Sequence, residues 1–370
     1  SREMIEVPGK YEVPAKTTMT IITQLSENYT ESMLAIRSSL QSVRFYVDGE
    51  LRMEYDTSGT RLVGKNSASC YVFCPTSEDD AGKEVRIELT TNTAKYSGVV
   101  NTVYCGDEAA IWGYLFQTYG LETVIALFLL FAGIITIIFG FSLGIAYQTK
   151  FDMEYLGWCV FMAAIWMLGE SKMRQLFFPN PSALATLCFV MIMLSPIAIG
   201  YYMYTLQKGR YRKVFGVVES IAFLNALICS ALHILGIADY IETLPVAHMI
   251  LVGTVLIVFI TMICDLKRGY VSEKYTFFSI ILAMIAIIAE SSLVYFRVSA
   301  SGIFIGIGMI ILLCTNLLKT IKNIQKVESR RQRAELNKRR KQMETMSLQM
   351  MRTLSTTIEA KDEYTRGHSY

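Results

Sequence analysis

The chain has 370 residues, of which 52% are hydrophobic and only 18% are charged, with 35 basic and 32 acidic residues. This composition is more apolar than that of a soluble globular domain, and it argues against an ordinary cytosolic enzyme. The near balance of charge argues against a protein that binds a nucleic-acid polymer. The charges are unevenly placed, because residues 1–118 carry 11 Lys/Arg against 16 Asp/Glu, whereas residues 328–342 carry 7 against 2. The sequence therefore has an acidic head and a basic tail.

Residues 17–105 are predicted to form β-strands, because apolar and polar residues alternate there with a period of two. The clearest pattern is in residues 42–55, where Asp48-Gly49 separates two alternating runs and predicts a hairpin. Residues 83–90 and 96–104 supply later strands. Several short strands of this kind predict a small antiparallel β-sandwich.

Three cysteines of the head raise the question of a disulfide. Cys70 and Cys74 are four residues apart on an extended strand, which is too distant for them to bond each other. In an oxidising exterior we expect Cys105 to pair with either Cys70 or Cys74. One of the three cysteines would then be left unpaired. This odd cysteine is explained equally well by a free buried thiol or by a reducing habitat of the protein.

Seven uncharged apolar runs are close to the length of about 20 residues that a membrane-spanning helix needs. The second run is the shortest, and an amphipathic or re-entrant segment is the alternative interpretation there. The runs are residues 123–149, 155–169, 182–205, 214–237, 243–264, 275–296 and 298–318.

The orientation follows from the basic residues of the loops. With the N-terminus outside, the inner loops hold eight Lys/Arg and the outer loops hold three. Cytoplasmic loops carry the excess of Lys/Arg, so the head is predicted to be extracytoplasmic and the C-terminus cytoplasmic.

Four ionisable residues, Glu170, His233, His248 and Glu290, lie in or at the ends of these runs and all approach the outer leaflet. Ionisable residues inside spans are costly and by default mark a pathway or a site. We predict a candidate intramembrane pocket for a ligand or a proton. The alternative is that each residue simply meets interfacial water at a helix end.

Beyond residue 318 the last span is predicted to continue as one helix, since neither Gly nor Pro interrupts it before Gly367. Its basic stretch is interpreted as a patch that binds anionic membrane lipids. After residue 342 apolar residues return at helical spacing, from Met343 to Ile358. This pattern favours either a homodimer through the cytoplasmic helix or packing on a following domain.

Residues 354–370, with the sequence LSTTIEAKDEYTRGHSY, resemble the opening of a bacterial HD-GYP domain, whose first helix runs into an EAKDxYTxGHS segment. By this resemblance His368 is the first ligand of an incomplete metal centre, in which a divalent metal, Fe or Mn, is expected in the full-length protein. The family hydrolyses cyclic di-GMP. No catalytic set is complete in this chain and no cofactor is expected in it, so the sequence, which begins at Ser1 rather than Met, is interpreted as a fragment.

The rest of the chain resembles bacterial seven-transmembrane receptors with diverse intracellular signalling modules. Residues 166–178, WMLGESKMRQLFF, are similar to the exit of their second span. The resemblance implies a carbohydrate-binding-like sandwich outside, whose ligand is an unknown small molecule such as a carbohydrate. It also implies a multi-pass protein of the bacterial cell membrane that controls an HD-type phosphodiesterase domain.

The predicted fold class is an extracytoplasmic antiparallel β-sandwich, jelly-roll-like, followed by a seven-helix transmembrane bundle and a cytoplasmic signalling helix. The alternative function is a membrane transporter or channel that uses the intramembrane Glu and His residues. A eukaryotic G-protein-coupled receptor is disfavoured, because no Asp-Arg-Tyr follows the third span. The predicted domains are a sensor domain (1–118), the bundle (119–320), a basic and dimerising helix (321–360) and the start of the output domain (361–370).

Overall fold

The computed structural model describes residues 3–61, 63–65, 68–148, 152–270, 274–295 and 302–367. It divides into two compact units, Ser1–Thr315 and Asn316–Tyr370. Within the first unit, an N-terminal β-sheet region is followed by helices.

The described residues contain nine strands, and every strand pair is antiparallel. They form a four-stranded sheet of order β2-β7-β4-β5, a three-stranded sheet of order β6-β3-β9, and the small pair β1-β8. The strands are β1 (Gly9–Lys10), β2 (Met19–Gln24), β3 (Met33–Arg37), β4 (Ser42–Val47), β5 (Glu50–Tyr55), β6 (Tyr71–Pro75), β7 (Glu84–Thr90), β8 (Val99–Val100) and β9 (Val103–Gly106).

The two larger sheets share one apolar core. Ile36 of β3, Phe45 of β4 and Ile87 of β7 are almost completely buried in it. The predicted hairpin is confirmed, since β4 and β5 pair across Asp48 and Gly49, whose φ angles of 51° and 82° are those of a tight hairpin turn. The antiparallel sheet region predicted for the head is therefore present.

Nine α-helices follow or interrupt these strands in the described residues, together with one turn of 3-10 helix at Glu78–Asp80. Two of them, α1 and α4, are single turns. The helices are α1 (Thr57–Thr60), α2 (Glu108–Tyr147), α3 (Met153–Glu170), α4 (Arg174–Phe177), α5 (Pro181–Leu206), α6 (Arg212–Ile234), α7 (Tyr240–Lys267), α8 (Lys274–Tyr295) and α9 (Ile303–Gly367).

Six helices of the described part, α2 and α5 to α9, are long and apolar enough to cross a membrane. The second predicted span is also helical, but α3 has only 18 residues with glutamates near both ends and is not among the six. On α2, Phe131, Ile135 and Phe141 are at least 60% exposed. Apolar exposure of this extent fits a lipid-facing surface.

Helix α3 packs between α2 and α5, and it approaches α2 very closely. A Cβ on Gly140 of α2 would lie 2.5 Å from the main-chain nitrogen of Glu154, and a Cβ on Gly157 of α3 would lie 2.8 Å from that of Ile137. Small residues allow membrane helices to approach backbone to backbone. The glycines therefore fix α3 in the interior, where Leu156, Val160 and other side chains are fully buried.

The expected disulfide is not formed, and all eight cysteines are free thiols. Cys74 of β6 and Cys105 of β9 both align with Leu34, which lies on the strand between them. Two strand spacings amount to about 9 to 10 Å, and a disulfide needs Cα atoms within roughly 7 Å. Cys70 precedes β6, further along the sheet, so the predicted pairing of Cys105 with either residue is wrong.

The described part of the second unit is residues 316–367, which belong to α9. Two ion pairs each join residues one helical turn apart. Arg339 lies 3.3 Å from Glu335, and Arg340 lies 3.0 Å from Glu344. Between residues 328 and 358 the apolar side chains are exposed, among them Met343, Met350 and Leu354. The predicted domain boundaries at 118, 320 and 360 fall inside α2 and α9 rather than at breaks in the chain.

Candidate functional site

The junction between the sheet region and the helices is held by a pair of hydrogen bonds at Gln175. Strand β6 is an edge strand, so one side of its backbone has no strand partner. The Tyr71 amide donates to Gln175 Oε1 at 2.5 Å, and Gln175 Nε2 donates to the Tyr71 carbonyl at 3.1 Å. The side-chain amide thus takes the place of a neighbouring strand and ties α4 to the sheet.

Arg174 lies beside this contact and is buried, with 8% of its surface exposed. Its Nε and Nη2 donate to the Ser69 carbonyl at 3.2 and 2.5 Å, and its Nη1 donates to the Gly169 carbonyl. Gly169 lies in the last turn of α3, where the helix dipole favours a cation. Burial lowers the pKa of the Arg174 guanidinium. One side chain therefore connects the end of α3 to the segment that enters β6.

A second contact joins the sheet region to the start of α7. The Lys65 amide donates to Asp239 Oδ1 at 2.8 Å, and the same oxygen lies 3.3 Å from His233 Nδ1. The ring of His233 stacks on Tyr240 with centroids 4.1 Å apart. A Cβ on Gly64, whose φ is +82°, would lie 2.3 Å from His233 Cε1. The close approach and the left-handed backbone together require glycine here.

A third connection is covalent, because α2 begins directly after β9. Asp107 separates the two elements, and its side chain accepts a hydrogen bond from the Ala110 amide as the N-cap. The first turns of α2 then cover the outer face of the three-stranded sheet, where Ile111 and Leu115 pack with Ala35 and Tyr71. The three-stranded sheet and the start of α2 are therefore in direct side-chain contact.

Glu290, one of the four predicted pocket residues, is 1% exposed on α8. Its Oε1 accepts a hydrogen bond of 2.6 Å from the Gly302 amide, just before α9. Its Oε2 is buried and has no hydrogen-bond partner among the described residues. The carboxyl group thus joins the end of α8 to the start of α9.

The other predicted residues are dispersed. Glu170 is exposed at the end of α3, His248 is half-buried on α7, and His233 belongs to the contact with Asp239. An electrostatic interaction connects Glu170 with His248. In the described part of the chain, no hydrogen bond or ion pair joins any two of the four side chains.

Two residues of the junction were missed by sequence reasoning. Both lie in the 166–178 segment that resembles the exit of the second span, and Arg174 is one of the three outer loop charges, but no contact with the sheet region was predicted for either. They lie in a charged loop between two apolar runs. This pattern is as typical of a solvated loop as of a loop that contacts another domain. Their role depends on where the edge of the sheet lies, which no local pattern specifies.

The predicted metal ligand His368 lies outside the described residues. Within the described ranges, no group of three or more His, Cys, Asp or Glu side chains is arranged to hold a metal ion. Comparison with protein-family models, with curated proteins and with solved structures found no match. The junction is accordingly interpreted from its geometry alone.

Proposed function

We propose that the chain is the sensor and membrane part of a signal-transduction receptor. The observation that carries the proposal is the junction, in which the sheet region is joined to α4 through Gln175 and Arg174 and continues directly into α2. A domain attached at several points to the ends of membrane helices transmits a change in its own shape to those helices. A ligand that binds one of two shapes of the domain more tightly than the other shifts the equilibrium between those shapes.

The arrangement in the membrane is part of the proposal. We count α3 as a seventh crossing together with the six long apolar helices, which places the two termini on opposite sides. The loop charges favour an extracytoplasmic N-terminus. The resemblance to bacterial receptors implies a bacterial cell membrane. The head would then be a jelly-roll-like, carbohydrate-binding-like sandwich that binds a small molecule from outside.

The output belongs to the longer protein that the C-terminal resemblance implies. There, an HD-type domain with Fe or Mn would hydrolyse cyclic di-GMP, and His368 would be one metal ligand. The chain as given should release no linear dinucleotide when it is incubated with manganese and cyclic di-GMP, because the remaining ligands are not in this sequence. Measurable hydrolysis by residues 1–370 would contradict this assignment.

A second copy of the chain is the proposed partner of the cytoplasmic part of α9. Met343, Met346, Met350, Leu354 and Ile358 recur on one side of the helix, and each is at least 55% exposed. The same row on a second α9 would cover it. Oxidation of a Met350→Cys variant should give a cross-linked dimer, whereas Arg352→Cys, which lies on the opposite side, should not.

Anionic lipids are the proposed partner of the basic stretch. Lys322, Lys326, Arg330 and Arg333 line one side of α9 within about four turns of its apolar part. Clusters of this type next to a span bind anionic headgroups. We do not assign a nucleic-acid polymer to this surface.

The receptor proposal is tested in the full-length protein in nanodiscs, with manganese and cyclic di-GMP. The double variant Arg174→Ala, Gln175→Ala removes the contacts of the junction and should change the basal hydrolysis rate severalfold. Arg44→Ala is the matched control, because Arg44 forms an ion pair with the exposed Glu54 on the sheet region. An unchanged basal hydrolysis rate in a folded double variant would contradict the receptor proposal.

The alternative, a transporter or channel, is favoured by the buried carboxyl group of Glu290. Proteoliposomes that contain a pH-sensitive dye discriminate between the two functions. A receptor should leave an imposed proton gradient intact, whereas flux that is lost in Glu290→Gln would favour the alternative.

A further inference from the structure

A cavity lies among α3, α5, α7, α8 and α9 in the first unit. It contains about 580 Å³ of space free of protein atoms, including its opening. Most of its wall is apolar, with Trp166, Ile192 and Ile305 among the lining residues. Three polar residues, Ser195, His248 and Ser291, also line it.

A second cavity, with about 440 Å³ of space free of protein atoms including its opening, lies beside the first. The two share Cys159, Ile199, Ile287 and Met309 in their walls. On α7 the lining extends from His248 to Val258, which is about 15 Å of helix. We refer to these two adjacent cavities together as the slot.

The two ends of the slot differ in chemistry. His248 and Ser291 lie at one end, while the other end is lined by side chains such as Leu156, Val258 and Leu312. No Lys or Arg lines either cavity. A phosphate headgroup would therefore find no cation in the walls, whereas an alkyl chain with a small polar head would match both ends.

His248 further restricts the polar group that the ligand can carry. Its Nδ1 is 3.2 Å from the Leu244 carbonyl, and because a carbonyl oxygen only accepts, Nδ1 is the donor. The second nitrogen, Nε2, accepts a hydrogen bond when the ring is neutral and donates one when the ring is protonated. A carboxyl group satisfies both cases, as an acid with neutral imidazole and as a carboxylate with imidazolium.

We propose that this slot binds a fatty acid, with its single alkyl chain along the apolar part and its carboxyl group at His248. The inference rests on the cavity and does not depend on the receptor proposal. It assigns an amphiphile to the bundle, whereas the small-molecule ligand proposed above belongs to the sheet region.

The test uses the tryptophans, because Trp166 lines the slot while Trp158, on the same helix, is 41% exposed on the apolar surface. One variant, Trp112→Phe with Trp158→Phe, retains only Trp166. A second, Trp112→Phe with Trp166→Phe, retains only Trp158 as the reporter of ligand dissolved in the bilayer. Each is titrated in nanodiscs with a chain-brominated dodecanoic acid, whose bromine quenches nearby indole fluorescence.

The expected result is saturable quenching of Trp166 at concentrations where the quenching of Trp158 still rises linearly. His248→Phe should weaken the apparent affinity about tenfold, as expected for the loss of one hydrogen bond to a charged or acidic group. The brominated methyl ester, which cannot donate or ionise, should bind about tenfold more weakly to the unaltered site. This second comparison needs no change in the slot.

Ala163→Leu fills the slot and should abolish the saturable component, while Ala146→Leu, on an exposed face of α2, should preserve it. Parallel quenching of Trp166 and Trp158 would overturn the proposal. Equal binding of the acid and its ester would overturn the assignment of the carboxyl group to His248. Saturable quenching that survives Ala163→Leu would place the ligand elsewhere.

Discussion

Asp80 of the sheet region is a buried carboxylate that pairs with two basic side chains, Arg52 and Lys83. Its carboxylate is 1% exposed and accepts two hydrogen bonds from Arg52, at 3.0 and 3.1 Å, and one from Lys83 at 3.0 Å. Burial alone would raise the pKa of Asp80, but the hydrogen bonds from Arg52, Lys83 and the Ser77 amide outweigh it and lower the pKa to about 2. The charged form is thus the stable one in the fold.

We expect Asp80→Asn to destabilise the protein by about 2 kcal/mol at pH 7, because charge-assisted hydrogen bonds are lost. A carboxyl group whose pKa is lowered by folding contributes stability above its ordinary pKa of 3.8, and that contribution disappears as the pH falls towards 2. The difference between wild type and variant should therefore shrink between pH 4 and pH 2. Thermal unfolding followed by tryptophan fluorescence measures it.

The control for this experiment is Asp79→Asn, since Asp79 is the exposed neighbour in the same turn. It should leave the unfolding temperature nearly unchanged at all pH values. A constant difference between Asp80→Asn and wild type across the acid range would contradict the role given to the Asp80 charge.

Gln175 is expected to protect the edge of β6. Gln175→Ala leaves the Tyr71 amide and carbonyl without their partner, a change that costs about 1 to 3 kcal/mol when the groups are buried. Hydrogen exchange of the Tyr71 amide should accelerate at least tenfold. Gln117→Ala, at an exposed position of α2, is the matched variant that should preserve protection at Tyr71.

At the scale of elements, the contact between α2 and α3 depends on glycine. Gly140→Ala places a methyl group 2.5 Å from the Glu154 nitrogen, so the helices must separate. We expect a loss of about 1 to 3 kcal/mol, as for other overpacked sites. The unfolding temperature in one detergent measures the effect.

Gly113 in the same helix provides the comparison, because a Cβ there would meet no atom within 4 Å. Gly113→Ala should stabilise α2 by up to about 1 kcal/mol through helix propensity alone. If both substitutions changed the unfolding temperature in the same direction, close approach at Gly140 would not be the cause.

Strands differ in how far their sequences reveal them. The 42–55 hairpin is marked by Asp48-Gly49, and β7 by the alternation of Val85, Ile87 and Leu89, so both were predicted. Strand β3 was not singled out, because Leu34, Ala35 and Ile36 are all buried and no alternation remains. One face of this strand meets the shared core and the other meets α2.

At the scale of the whole molecule, the proposed orientation predicts which thiols react from outside intact cells. Cys105 is exposed on the sheet region and should react with a membrane-impermeant maleimide. Ser347→Cys, placed on α9 in a Cys105→Ser background, should react only after the cells are permeabilised. Labelling of position 347 in intact cells would show that the orientation is the opposite of the one proposed.

The sequence by itself determined the elements whose signals are local. Apolar length predicts the membrane helices, because each helix must meet the hydrocarbon core without help from its neighbours. The period-two pattern and the Asp48-Gly49 turn predict the antiparallel head for a similar reason. Loop charges suggest an orientation in the same way, from residues counted one by one.

Only the tertiary structure decided which of these elements meet. The spacing of Cys74 and Cys105 depends on β3 lying between their strands, which rules out the disulfide that the sequence alone allowed. Similarly, the four polar residues predicted to share a pocket lie on four different helices, so only the packing of those helices decides which of the side chains meet. The junction at Gln175 exists because an unpaired strand edge and a short loop helix come together, and contacts between residues about 100 positions apart leave no periodic trace in the chain.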